Sequence, residues 1–297
     1  MKTLRPDGHG KYPATRHARP DKTTSHPTRL PKDASQVAGY LSSSPPKGES
    51  WRGSLREFHL KGFSLIEMAM VLTIVGLLLG GLLAPLIAQM EQRRISETQK
   101  ALEEIKEALI AYAVVNGQLP CPSVPTVATG QATAGIARTP PCTNSNSTGA
   151  LPWATLGVSE TDAWGNRYSY RVSADFADAI GSATYGGCTP TPAPAQASFA
   201  LCSSGNLDAL TSATAGTKVA ISVAAVIISH GRNGAGAYTR QGLQLPLGNN
   251  ADEQENSNGS SNNIYVSHTP TPDFDDQLTW ISTSILVSRM VVAGKLP

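Results

Sequence analysis

The sequence predicts an α+β protein in which one long N-terminal helix, membrane-spanning in its first half, packs on a small antiparallel sheet with irregular, disulfide-closed loops. Three observations predict it. From Met68 to Met90 there are 23 residues without a charge, and a helix of about 20 residues crosses a hydrocarbon core of roughly 30 Å. Beyond them Ile95, Thr98, Leu102, Ile105, Leu109 and Tyr112 recur at helical spacing, so the helix continues past the membrane as the spine of a head. Further on, short strand-like runs alternate with Pro-, Gly- and Ser-rich stretches that carry all four cysteines, the pattern of a small sheet with long connections.

The first 62 residues carry 12 Lys+Arg against 5 Asp+Glu, seven prolines and four of the six histidines. Such a segment buries too little apolar surface to offset the entropy of ordering it, and reads as a disordered, basic leader. Two accounts of its length stand side by side: a real cytoplasmic extension, or translation that begins near Leu55. Residues 63–297 carry 12 Lys+Arg against 17 Asp+Glu, so the overall charge of +2 gives no argument for a nucleic-acid partner. Arg52, Arg56 and Lys61 lie directly before the apolar run, which keeps that end cytoplasmic and places the head outside the cytoplasm.

A secretory signal peptide has an apolar core of only about 7–15 residues and is cut after it, whereas here Lys61 and Gly62 precede a longer run. The stretch KGFSLIEMAMVLTIVGLLLGG resembles the class III signal of type IV prepilins and type II secretion pseudopilins. That resemblance implies a cut after Gly62 by a membrane prepilin peptidase and methylation of Phe63 as the new N-terminus. Glu67 becomes the fifth mature residue, and its implied role is to pair with the Phe63 amine of a neighbouring subunit. The chemistry agrees with such a role, because an acid inside an apolar helix is costly unless it finds a partner. The expected organisation is a leader at 1–62 that is removed, a helix at 63–115 with its transmembrane part at about 68–88, and an extracytoplasmic head at 116–297.

Within the helix, Gly76, Gly80, Gly81 and Pro85 predict loosening near Gly81. Asn116-Gly117 supplies the left-handed stop. Residues 120–152 read as an irregular crossing that contains Cys121 and Cys142, and Cys188 and Cys202 sit in a similar stretch. An even cysteine count outside the cytoplasm favours disulfides, and no CxxC pair suggests zinc. Four cysteines allow three connectivities; proximity in sequence selects Cys121–Cys142 and Cys188–Cys202. The element D-A-W-G-N-R-Y-S-Y from Asp162 to Tyr170 reads as a turn feeding a strand, and it too resembles an element of major pseudopilins. Lys218 to Ser229 reads as one buried strand, followed by a Gly-rich loop over 230–236 that lacks the Lys-Ser/Thr of a phosphate-binding loop. Residues 248–263 read as an exposed flexible loop. Asp276 to Ile281 forms a last strand, and Thr283 to Ala293 a terminal helix capped by Ser282 and closed by Gly294.

Asp273, Asp275 and Asp276 are the acidic cluster of the head. They read first as solvated acids leading a strand; calcium is the alternative that the resemblance adds, since major pseudopilins bind it in a C-terminal loop. His230 and His268 are the two histidines of the mature chain. A lone loop histidine reads as structural or solvated, no G-x-S-x-G elbow occurs, and residue types alone define no Ser-His-Asp arrangement. The expectation is therefore a non-enzymatic subunit of a type IV pilus-like filament, itself the substrate of a prepilin peptidase. A type II secretion pseudopilin or a minor adhesive tip pilin is the alternative. Its partners would be other subunits and an inner-membrane assembly platform; it would sit as a single-pass inner-membrane protein with a periplasmic head before entering a periplasmic or surface filament.

Overall fold

A computed structural model describes residues 62–181, Cys188, 196–258 and 262–296. The leader at 1–61, with Arg52, Leu55, Arg56 and Lys61, lies outside the described residues.

Helix α1 runs from Leu65 to Asn116, 52 residues. Ser64 is extended and its hydroxyl accepts from the Glu67 backbone N–H at 3.2 Å, satisfying one of the donors that a helix start leaves open. At the other end Gly117 adopts φ +75° and its N–H donates to Ala113 O at 2.7 Å, the stop that Asn116-Gly117 predicts. Pro85 lies within the helix, which continues through it. The helix has two environments. Leu65, Leu72, Leu77 and Ile87 are exposed, whereas Thr98, Leu102, Ile105, Leu109 and Ala113 are buried in the head. It is the helix long and apolar enough to cross a membrane among the described residues.

Two sheets build the head. The first is antiparallel throughout, in the order β1 (Thr148–Ala150), β2 (Ser169–Val172), β5 (Ala225–Ser229) and β7 (Gln277–Ile281). The second has the order β4 (Lys218–Val223), β3 (Leu207–Leu210) and β6 (Ile264–Val266), with β3 parallel to β6. A single small antiparallel sheet was too simple an expectation. Side chains alternate across the first sheet. Tyr170, Val172, Ala225, Ile227 and Ile281 join the α1 residues in one core, while Val226 and Ile228 join Leu207, Val223 and Tyr265 of the second sheet in another. The central sheet is thus covered on both faces, which explains why every residue of β5 is buried.

The stretch Lys218–Ser229 is not one strand. The chain breaks at Ala224, whose N–H donates to Ile281 O at 2.9 Å, and Ser222 takes φ +52° just before it, so β4 and β5 belong to different sheets. Nor is 248–263 an exposed loop. Ala251–Asn258 forms helix α3, with Glu253 and Asn256 each only 2% exposed. Its sequence is polar all round, so no apolar stripe announces it; Asn256 anchors it to the edge of β6 instead. Two further helices are α2 (Trp153–Leu156) and α4 (Thr283–Val292). Ser282 precedes α4 in extended conformation but makes no capping bond, its hydroxyl pairing with Ser284 Oγ at 2.9 Å. The bridges Cys121–Cys142 and Cys188–Cys202 both form, with Cα separations of 5.5 and 5.2 Å.

Candidate functional site

The turn Asp162-Ala163-Trp164-Gly165-Asn166 fastens β2 to the loop that follows β5. Asp162 Oδ1 accepts from the backbone N–H groups of Trp164 and Asn166 at 3.0 and 2.9 Å, and its Oδ2 accepts from Ser229 Oγ at 2.7 Å. Asn166 Nδ2 in turn donates to Gly231 O at 3.3 Å. Arg167, next in sequence, is buried. It pairs with Glu160 at 2.8 Å, donates to the carbonyls of Pro125 and Val127, and stacks over Trp153 at 4.6 Å, which satisfies the donors that a buried guanidinium must satisfy.

With these two segments fixed, Ser169 and His230 meet. Ser169 Oγ lies 2.8 Å from His230 Nε2, although 61 positions separate them. On the far side of the imidazole, His230 Nδ1 is 3.7 Å from Asp276 Oδ1, with both side chains fully buried. Neither of those two atoms has a hydrogen-bond partner among the described residues. The other Asp276 oxygen, Oδ2, accepts from Asn256 Nδ2 at 2.8 Å. His230 is therefore neither solvated nor isolated, and Asp276 is not a solvated acid.

Burial disfavours the imidazolium and pushes the His230 pKa down to about 4, so the ring is neutral. Burial pushes the Asp276 carboxyl well up, opposed by the Asn256 bond and reinforced by Glu253 and Asp275. Asp275 is raised as well, mainly by burial.

Asp275, Asp276 and Glu253 each bring a carboxylate oxygen within 4.8 Å of the others. Asp273 stands outside this group and is exposed; α3 supplies Glu253 in its stead. Asn233 ties the group together, its N–H donating to Asp275 Oδ2 at 3.0 Å and its Nδ2 to Glu253 Oε1 at 2.6 Å. His268 stacks on Phe274 with ring centroids 3.9 Å apart, and its Nε2 lies 3.3 Å from Asp252.

Ser169 opens on a cavity of about 250 Å³ whose walls include Arg171, Tyr238, Gln244, Asn256 and Tyr265. Ser169 and Arg171 share this face of β2, while Tyr170 points into the α1 core. Gly62, Phe63 and Glu67 lie far along the chain from here. Gly62 and Phe63 precede α1 and are exposed, and Glu67 sits in its first turn, exposed among apolar neighbours.

Sequence reasoning missed Ser169, Glu253 and Asn256. No local signal marks them, because each acts through partners far away in the chain. A scan against models of known families and searches of curated proteins and of solved structures found no match.

Proposed function

We propose that this chain is a structural subunit of a type IV pilus-like filament, assembled through the exposed first half of α1. The observation that carries the proposal is the division of one uninterrupted helix into an exposed apolar half, with Glu67 in its first turn, and a half buried as the spine of a disulfide-bridged head. A fully exposed apolar helix needs a bilayer or other helices around it. Before assembly the membrane covers it; in a filament, the same surface on neighbouring copies does so. Glu67 then supplies register, because an acid in an apolar bundle is tolerated only where an opposite charge, the amine of Phe63 on the next copy, reaches it. Prepilin peptidase, an inner-membrane platform and other subunits are the partners of this cycle, and the head faces the periplasm.

The test is processing. Coexpression with a prepilin peptidase should yield a mature chain that begins at N-methylated Phe63, as read by mass spectrometry of the intact protein. A chain that still begins at Met1, or one cut near Ala84, would refute the proposal.

A further inference from the structure

We propose that Ser169 is an activated nucleophile, with His230 as its general base and Asp276 as the group that sets the imidazole tautomer, acting on small carboxylic esters bound in the adjoining cavity. This activity does not depend on the filament reading.

The tautomer follows from the neighbours of each ring nitrogen. Nδ1 faces only Asp276 Oδ1, at 3.7 Å, and both atoms otherwise lack partners among the described residues. The ionised Asp276 carboxylate has no proton to give, so in that form Oδ1 accepts and Nδ1 carries the ring proton. Approach by less than about 1 Å makes this a normal hydrogen bond. Nε2 then holds a lone pair, and the 2.8 Å contact is Ser169 Oγ–H donating to it, the relation a hydroxyl needs to lose its proton as it attacks. Asp276 is itself held by Asn256, whose Nδ2 occupies its second oxygen.

The arrangement is placed for use. His230 is fully buried, so no water competes for Nε2, whereas Ser169 is only half-buried and lines the cavity. Arg171 lines the same cavity two residues along the strand, its guanidinium donating to Thr148 Oγ1 and Asn263 Oδ1, and its positive charge favours an oxyanion. A volume of about 250 Å³ admits a short acyl or monosaccharide ester and excludes a folded chain.

The chemistry balances without a cofactor. Ser169 Oγ attacks the ester carbonyl carbon and its proton passes to His230 Nε2; the bond from that carbon to the alcohol oxygen breaks, and the alcohol leaves with the proton. Water then attacks the acyl-serine, giving a proton to His230 Nε2. The carboxylic acid departs, and Ser169 Oγ regains the proton. The sum is ester plus water to acid plus alcohol.

The full chain in detergent is treated with a small fluorophosphonate, which transfers its phosphonyl group to an activated serine with loss of fluoride, and the adduct is mapped by peptide mass spectrometry. p-Nitrophenyl acetate is the second probe. The expected result is one adduct, on Ser169, absent from Ser169→Ala and unchanged in Ser284→Ala, a serine outside the cavity. In His230→Gln its rate should fall by about a hundredfold, the scale of a lost general base. Nitrophenolate release should fall in parallel.

No adduct on the folded wild type overturns the proposal, as does labelling undiminished in a His230→Gln protein that keeps the wild-type melting transition. Should that variant not fold, the wild type decides. An adduct that disappears in urea supports an activated serine, and equal labelling of folded and unfolded chains overturns it.

Discussion

Asn256 and Val266 exchange two hydrogen bonds, the side-chain amide of one against the backbone of the other: Nδ2 to O at 3.0 Å and N to Oδ1 at 2.7 Å. The amide thus takes the place of a neighbouring strand beside β6, and its second amide hydrogen reaches Asp276. Asn256→Ala leaves a buried N–H, a buried carbonyl and a carboxyl oxygen unsatisfied. The expected loss is about 2–4 kcal/mol by urea unfolding, since each stranded buried group costs about 1–3 kcal/mol and neighbours relax in part. A loss below about 0.5 kcal/mol would mean that α3 is held by something else.

Glu67→Val separates assembly from folding. It removes the acid from the first turn of an apolar helix, so insertion and head folding should be unharmed. The protein should be cleaved, stable and membrane-resident, yet poorly recovered in filaments, because the Phe63 amine would enter an apolar bundle unpaired. Fractionation of a tagged variant in cells that also make the wild type checks this; normal recovery in sheared filaments would remove Glu67 from the assembly contact.

The two disulfides close loops with sequence separations of 21 and 14. Opening either should cost about 3 kcal/mol in the chain-entropy account. Paired Cys→Ser variants, Cys121 with Cys142 and Cys188 with Cys202, should each lower the melting temperature of the oxidised protein, and reduction should lower it no further for the bond already removed.

The pH dependence of stability divides into two windows. His230 has a pKa of about 4 when folded against about 6.5 unfolded, so the unfolded chain binds more protons between those values and stability rises with pH there. Asp276 is shifted upward on folding, so the folded chain holds the extra proton, and stability falls as pH rises from about 3.9 through the folded value. The two oppose each other between about pH 4 and 6.5, above which the His230 contribution is complete. Relative to the wild type, Asp276→Asn should therefore lessen the fall in unfolding free energy as pH rises above about 3.9, with Glu253 and Asp275 still present. An unchanged pH profile would show that the Asp276 carboxyl is not raised on folding.

What was legible in the sequence follows how local its physics is. The extent of α1, its Gly117 stop and its buried stripe from Thr98 to Leu109 all follow from spacing along one segment. The near-neighbour cysteine pairing was legible for the same reason. The break at Ala224 was not, because Lys218–Ser229 is apolar enough for either a single strand or two, and only the docking of Ala224 on Ile281 divides it. The polar α3 had no stripe to reveal it. Ser169 and His230 are joined by the turn at Asp162 and the loop after β5, a meeting of distant segments that no motif in either segment announces.

The Cys121–Cys142 bridge sits just beyond the Gly117 end of α1, and so acts as a mechanical shunt. Tension applied between the helix and the far side of the head travels along the chain to Cys121 and crosses the sulfur bridge to Cys142, leaving the segment between them unloaded. An intact bridge withholds about 70 Å of contour length, at roughly 3.4 Å per residue over the separation of 21. A head pulled along the axis of α1 would meet the force first at the junction of helix and sheet, with the irregular crossing between the two cysteines kept out of the line of load.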